Sequence, residues 1–534
     1  MMAKAFLVFI LAYFLYYLTS HITNFWPVHT IVEQPGHNEI WKARKDEVRK
    51  VFHESWVDYV KHGWGKDVYH PVSQTAENMG QNPLGWIIVD SLDTLHLMNL
   101  SKELTRASDW IKHELDYDFD YEVNVFETTI RMLGGFLSAF HLTKDNLYLD
   151  KAVDLADRLI GSFESNSGIP YASVNLKTGK GVRSHVDMGS SSTAEVATLQ
   201  LEFKYLSQLT GNSIYWKKVE HIIAVLDSNH PTDGLVPIYV QPDTGSYWGN
   251  LIRLGSRGDS YYEYLIKQYL QTNETVYKEM YDEAIRGVKK HLVRKSIPSR
   301  LTFIGELPNG INGEFSNKMD HLVCFLGGTL AVGATNGLTI NEARQSDFWN
   351  PEREFQFSLG KELTQTCYKM YHDVSATGLA PEIVVFNTDR KVQHDFYIKP
   401  ADKHNLQRPE TVESLFYMYK ITRDPMYRDW GYKIFKNFVK HTRVTSGGRN
   451  NNVRYSCLQD VTATIPKYRD NLESFWFAET LKYLYLLFDD DVAEQWDLNK
   501  VVFNTEAHPF PRFFQNLKFK TGWERVKPTS PLSS

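Results

Sequence analysis

The 534-residue chain is long enough to bury a large core, in one very large domain or in several smaller ones. A net charge of −5 speaks against nucleic acid as a partner. Aromatic residues make up 14 %, and because Tyr and Trp lay flat, half-polar faces against sugars as readily as they fill cores, composition does not separate the two uses.

Residues Ala5 to Leu18 read AFLVFILAYFLYYL behind Lys4, with no charge among them. The run is short for a membrane span and long enough for a signal-peptide core. No small-x-small cleavage site follows in Thr19-Ser20-His21-Ile22. The expected reading is an uncleaved signal anchor over residues 1–18, suited to the thin bilayer of the endoplasmic reticulum, then a short stem over 19–35. Cleavage to a soluble lumenal protein is the alternative. No Gly/Ser linker, charge block or low-complexity tract divides residues 36–515, which read as one catalytic domain; 516–534 is a C-terminal tail whose last residues, KPTSPLSS, read as frayed.

Within that domain acidic residues open helical runs at a recurring interval: Glu127, Glu195, Asp259, Glu410 and Glu473, with His321 inside the one long gap. Each leads into an apolar-periodic stretch, such as FETTIRMLGGFLSAF or LESFWFAETLKYLYLL. Between them Gly168-Ile-Pro170, Gly234-Leu-Val-Pro237 and Gly378-Leu-Ala-Pro381 mark turns, and Gly447-Gly448 continues the series. A short β-like passage follows each of the first three: YASVNL, PIYVQ and EIVVFN. The unit is therefore helix, turn, short hairpin, acid-led helix. About seven units of roughly 70 residues fill the domain, giving an all-α class of paired helices in a toroid; an open solenoid fits the period equally well. If the ring closes, the helix starts meet at one mouth and several carboxylates face one cavity. Crowded carboxylates are costly unless they bind a cation or exchange protons; the structural alternative is that they are helix caps and first-turn acids.

The chemistry-bearing groups follow in chain order. Asn99-Leu-Ser101 and Asn273-Glu-Thr275 are glycosylation sequons. Glu127 and Arg131 share a helix face among apolar neighbours, which suggests a partly buried pair. Arg257-Gly-Asp259 stands immediately before SYYEYL, and Asp259 is also a natural helix cap. His321 leads an apolar run, where a satisfied core histidine is the alternative. Arg408-Pro-Glu410 opens a helix on which Glu410 and Glu413 share a face, an unfavourable pair without a cation or a proton. Phe475 and Glu479 lie one turn apart. Thr505-Glu506 sits in a Pro-bounded loop, where a threonine offers a hard cation two oxygens. Three cysteines, Cys324, Cys367 and Cys457, allow one disulfide in an oxidising lumen; the residues alone do not choose the pair. Zinc spacings, a Ser-His-Asp pattern, a P-loop and a dinucleotide fingerprint are missing, and the remaining mix of carboxylates, arginines and aromatics suits glycoside hydrolysis.

Long blocks in fixed order carry a resemblance: SLDTL (91–95), FETTIRMLGG (126–135), RGDSYYEYL (257–265), MDHLVCF (319–325), RPETVESLFY (408–417), ESFWFAETLKYLYLLF (473–488) and FNTEAHP around Thr505. The chain resembles the class I α-1,2-mannosidases, family 47 of the glycoside hydrolases, over nearly all of its length after the anchor. The resemblance implies an (α/α)7 barrel plugged at one end by a C-terminal hairpin. It implies an inverting, calcium-dependent exo-hydrolase in the endoplasmic reticulum membrane. That enzyme would be type II with a lumenal catalytic domain, and would act as a monomer on the nine-mannose N-glycan of glycoproteins, feeding their maturation and quality control. Position by position, Glu127 matches the general acid, Glu410 the proposed base and Asp259 a third catalytic carboxylate. Thr505 matches the calcium ligand, and Arg131, Arg257, His321, Arg408, Phe475, Glu479 and Glu506 match sugar-binding positions. Cys324 and Cys367 match the family disulfide. Arg257 is the residue typical of the endoplasmic-reticulum branch. A Golgi-type enzyme that removes several mannoses, and a lectin-like relative that delivers misfolded glycoproteins to degradation, are the alternatives.

Overall fold

The computed structural model describes residues 37–444, 453–490 and 496–525. The expected anchor and stem, Gly447-Gly448 and the last residues of the tail lie outside the described residues. Among the described residues no helix is long and apolar enough to cross a membrane. The chain divides into Met1–Trp41 and Lys42–Ser534; the described part of the first unit is the opening of the helix His37–Gly63.

In the second unit the described residues form a closed ring of inner helices with a ring of outer helices around it. The inner helical segments are 86–97, 125–143, 193–210, Asp259–Thr272, Phe325–Thr335, Glu410–Thr422 and 476–487. Each touches the next around the ring, and 476–487 returns to 86–97, so the toroid closes. The outer helices are Ser101–His113, Asn146–Leu159, Ser213–Ser228, Thr275–His291, Pro351–His372 and Pro425–Thr442. The seventh outer position is taken from the other end of the sequence. The helix His37–Gly63 packs on the last inner one, with Trp476 Nε1 donating to Ser55 Oγ at 3.1 Å and the Phe477 ring against Phe52 and Trp56.

The joints between inner and outer helices share one backbone device. Asn99, Lys144, Gly211, Asn273 and Arg423 all adopt left-handed φ values, 51° to 75°, and end an inner helix there. In three joints the next residue, Asp145, Asn212 or Asp424, caps the outer helix through its side chain. Inner helices are buried almost all round: every residue of Phe325–Thr335 is buried. The disulfide joins Cys324, at the start of that helix, to Cys367 on its outer partner; Cys457 is free and buried.

Short three-stranded antiparallel sheets cluster before the starts of inner helices, where the β-like passages were expected. Ser173–Asn175, Tyr239–Val240 and Ile383–Phe386 are their middle strands. The opposite end is closed by the hairpin Val501–Phe503 with Pro509–Pro511. Its base lies at helix ends, where Arg512 donates to the carbonyls of Leu270, Asn336 and Leu498. Its tip reaches inward to Ile130, Glu202, Glu263 and Tyr264. Gly134 leaves the room for it, because a Cβ there would stand 2.8 Å from Asn504 Nδ2.

The C-terminal tail is described as far as residue 525; KPTSPLSS, the part expected to fray, lies outside the described residues. Thr521 N donates to Glu274, Gly522 N donates to Glu220 at 2.6 Å, and Arg525 pairs with Asp227 and Glu283, so residues 516–525 form a strap across outer helices.

Candidate active site

The starts of the inner helices converge on a cavity of about 340 Å³, floored by the tip of the hairpin. Of the expected site residues, Glu127, Arg131, Arg257, Asp259, Arg408, Glu410, Phe475, Glu479, Thr505 and Glu506 all line it. His321 does not; it is buried behind Glu410.

The local backbone explains this convergence. Asn124 caps the helix that carries Glu127, accepting from Glu127 N at 2.8 Å, and Ser192 does the same for Glu195 at 3.3 Å. The acids are thus first-turn residues, held at the mouth by neighbouring caps. Asp259 and Glu410 are the first residues of their helices. Arg131 and Glu479 lie on single π-turns, Thr129–Leu133 and Trp476–Thr480, which re-aim side chains within otherwise α-helical runs. Arg257, Gln407 and Ala507 have φ of 70°, 62° and 58°, so three non-glycine residues in left-handed backbone flank the cavity residues Asp259, Arg408 and Glu506.

Arg131 organises one wall. Its Nε donates to Glu127 Oε2 at 2.9 Å and its Nη1 to Ser474 Oγ at 3.1 Å, and it ion-pairs with Glu506. Its guanidinium and that of Arg408 each lie 5.7 Å from the centre of the Phe475 ring, which presents an apolar face between two cations. Arg408 is held by Glu382, with Nε to both carboxylate oxygens at 2.8 and 2.9 Å. His321 Nδ1 donates to Glu410 Oε2 at 2.7 Å, and His321 Nε2 hydrogen-bonds to Tyr371 and Thr411 at 3.0 Å.

These surroundings drive the carboxyl groups apart. Burial would raise Glu410, but the His321 hydrogen bond and charge and the Arg408 charge outweigh it and hold Glu410 below the usual carboxylate range. Burial, with Glu263, Glu410 and Asp320 nearby, pushes Asp259 up to about 7. Burial and the Glu127 charge likewise push Glu195 up to about 7. One ionised and one protonated carboxyl facing a single cavity near neutrality is the division of labour that acid–base hydrolysis requires.

The floor gathers more carboxyl groups than cations. Thr505 Oγ1 donates to Glu263 Oε2 at 2.9 Å. Burial and like charges push Glu413 up to about 8, and Glu479 and Glu506 well above the ordinary range. Lys267, paired with Glu263 and Glu413, and Arg131 are the neighbouring cations. Among the described residues no group of three His, Cys, Asp or Glu has metal-binding geometry. The donor set nevertheless suits a hard divalent cation held by the two oxygens of Thr505, with carboxylates around it to fix bound water.

Several contributors were not singled out in the sequence. Asp187 holds Arg257, and Glu382 holds Arg408. Glu263 lines the wall beside the expected acids, and so does Glu195, which the sequence offered only as a helix opener. Asp90, Asp93, His508 and Lys482 form a fully buried ion cluster that grips the hairpin: His508 Nδ1 to Asp93 at 2.8 Å, its Nε2 to Asp90 at 3.1 Å, and Lys482 Nζ to Asp93 at 2.9 Å. A signal existed for Glu263, one helical turn after Asp259, and for Asp93 within SLDTL; Asp187 had none.

Comparison with known proteins agrees with this geometry. The family model described as glycosyl hydrolase family 47 matches residues 51–512. A mannosyl-oligosaccharide 1,2-alpha-mannosidase of Candida albicans is 61 % identical, covering 98 % of this chain and 92 % of its own. The endoplasmic reticulum mannosyl-oligosaccharide 1,2-alpha-mannosidase of Saccharomyces cerevisiae is 50 % identical over 93 % and 95 %. The solved alpha-1,2-mannosidase of Trichoderma reesei superimposes with a TM-score of 0.77 at 28 % identity, covering 88 % of this chain and 99 % of that one.

Proposed function

The chain belongs to glycosyl hydrolase family 47, and from that premise we propose that it is an exo-α-1,2-mannosidase of the endoplasmic reticulum. It trims terminal mannose from the nine-mannose N-glycan of glycoproteins, with inversion, and so feeds their maturation and quality control. The observation that carries this reading is the single cavity in which Glu127, Asp259 and Glu410 meet above Thr505.

Glu410, kept ionised by His321 and Arg408, is the base that takes a proton from the attacking water. Glu127, oriented by Arg131 and its own helix cap, is the acid that protonates the leaving oxygen, acting through a water. Asp259, holding its proton near neutrality, is the third carboxyl of the proton circuit. Inversion needs the base and acid on opposite faces of the sugar with room for a water between them. Phe475 gives the ring an apolar face, and Arg131 and Arg408 donate to its hydroxyls. When bound, calcium on Thr505 supplies Lewis acidity and a fixed point for the sugar hydroxyls. Residues 1–18 anchor the enzyme as a single-pass type II protein with its catalytic domain in the lumen, glycosylated at the exposed Asn99 and Asn273.

Timed chromatography of products from the nine-mannose glycan tests this reading. One mannose released and then a halt is expected. Continued trimming marks a Golgi-type activity, and binding without release marks a lectin-like one; either result overturns the proposal.

A further inference from the structure

A second cavity, of about 780 Å³, lies away from the hydrolytic residues, between the C-terminal strap and the joint of the helices Asp259–Thr272 and Thr275–His291. Asp259 opens the first of these helices at the catalytic mouth. The second cavity lies at the other end of that helix, about 20 Å away by helical rise. It is therefore at the plugged end of the ring, where Arg512 donates to the Leu270 carbonyl.

One wall of this cavity is a glycosylation sequon: Asn273, Glu274 and Thr275 all line it. Asn273 and Thr275 are exposed, and their side chains make no hydrogen bond among the described residues. The facing wall is the strap. Phe514, Leu517 and Trp523 bring half-buried apolar side chains to it, and Lys520 an exposed ammonium. The two walls are tied directly. Thr521 N donates to Glu274, the middle residue of the sequon, and the Thr521 hydroxyl pairs with that of Tyr277 at 3.1 Å.

A glycan on Asn273 thus begins inside the cavity. Its first two N-acetylglucosamine units offer pyranose C–H faces to the Trp523 and Phe514 rings, and hydroxyl and acetamide groups to Lys520. The space lies within the range of roughly 300–1,000 Å³ that holds a ligand of this size. Because the glycan is tethered, docking is intramolecular, and modest contacts suffice to populate it.

We propose that this cavity is the seat of the protein's own N-glycan, whose inner N-acetylglucosamine units lie against Trp523 and Phe514 and staple the strap to the helix Thr275–His291. The proposal rests on the lumenal reading of the catalytic domain. It concerns a glycan that the enzyme carries, not one that it cleaves.

The test uses full-length protein from a glycosylating yeast, with occupancy of each sequon read by peptide mass mapping and folding of each variant verified by melting curves. The first readout is release of the Asn273 glycan from native protein by an endoglycosidase that cuts between the two inner sugars. The parent should release it about tenfold more slowly than Trp523→Ala, because a seated glycan is open to attack only a fraction of the time. Trp523→Phe, which keeps an aromatic face, should stay slow. The second readout is hydrogen exchange over residues 518–525. Loss of the glycan in Asn273→Gln or Thr275→Ala should speed exchange there about tenfold, whereas occupied Thr275→Ser, which keeps the sequon, should match the parent. Either readout unchanged overturns the seat. Should Trp523→Ala fail to fold, exchange in the sequon variants decides alone. A bare Asn273 beside a modified Asn99 overturns the seat and leaves the lumenal reading standing; both sites bare overturns the two together.

Discussion

Glu410 owes its low pKa to His321 and Arg408, and Asp259 its high one to burial and to carboxylate neighbours. The pH dependence of kcat/KM should follow these two directions. The acid limb belongs to Glu410 and should fall below the usual carboxylate range. The alkaline limb should fall near pH 7, where Asp259 loses its proton. His321→Ala removes the partner that holds Glu410 down, so the acid limb should move up while kcat falls about ten- to a hundredfold. An acid limb that stays in place in this variant would show that His321 serves packing alone. Arg257 makes a different prediction. Arg257→Leu leaves Glu127, Glu410 and Thr505 untouched, so release of the first mannose should stay within about tenfold of the parent while trimming continues past it. The competing account is that Arg257 only pairs with Asp187; a less stable variant that still stops after one mannose would establish that account instead.

At the level of elements, the hairpin plug and its buried ions are the part most sensitive to change. Asp93, Lys482 and His508 are all fully buried, and breaking such a cluster leaves an uncompensated charge. Lys482→Met should therefore lower stability by about 3–5 kcal/mol in denaturant unfolding, whereas an exposed pair such as Arg344–Glu354 should matter little. Loss of the Cys324–Cys367 bond in Cys367→Ser should cost about 2–5 kcal/mol, and peptide mapping of the parent should find Cys457 as a free thiol. This level also shows what the sequence could reveal. Acid-led helices and Gly/Pro turns were legible because they are local: Glu127, Asp259 and Glu410 lie at helix starts, and YASVNL, PIYVQ and EIVVFN contain the middle strands. The joints were not legible, because Lys144 and Arg423 adopt left-handed backbone that their residue types do not advertise. The supporting shell was hidden for a further reason. Asp187 with Arg257, and Lys482 with Asp93, are 70 and 389 residues apart, and only tertiary structure joins them. His321 was legible as a site residue but not its place, since a buried histidine behind a base and one on a cavity wall read alike in sequence.

For the whole molecule, the carboxyl-rich interior ties stability to pH and, on the proposal that Thr505 holds calcium, to that ion as well. Asp259 and Glu195 sit at about 7 and Glu413 at about 8 when folded, all above their unfolded values. Each binds its proton more tightly in the native state, so their contribution is fully present at low pH and is lost as pH rises through 7 to 8. A bound cation offsets that loss by favouring the charged forms, and it stabilises the fold by mass action. Chelation should abolish hydrolysis. In chelator the melting temperature should drop between pH 5 and pH 8, and saturating calcium should shrink that drop. An identical drop with and without calcium would sink the placement of the ion among these carboxylates.

The ring also has a seam in time. Its last outer position is filled by the first helix of the described chain, and Ser55 meets Trp476 across 421 residues of sequence. A ribosome adding about 5–20 residues per second leaves that helix waiting roughly 20 to 80 seconds for its partner. Throughout that interval Phe52 and Trp56, fully covered in the finished protein, have no Phe477 to pack against. The other inner–outer joints can form as the chain emerges, because those neighbours in the ring are neighbours in sequence. The return of 476–487 to 86–97, and the grip of Asp93 on Lys482 and His508, wait for the same late residues. Closure of this seam, with the hairpin that seats beside it, is therefore the slow, non-local step of assembly, and nascent chains in that interval are the ones that need shelter from aggregation.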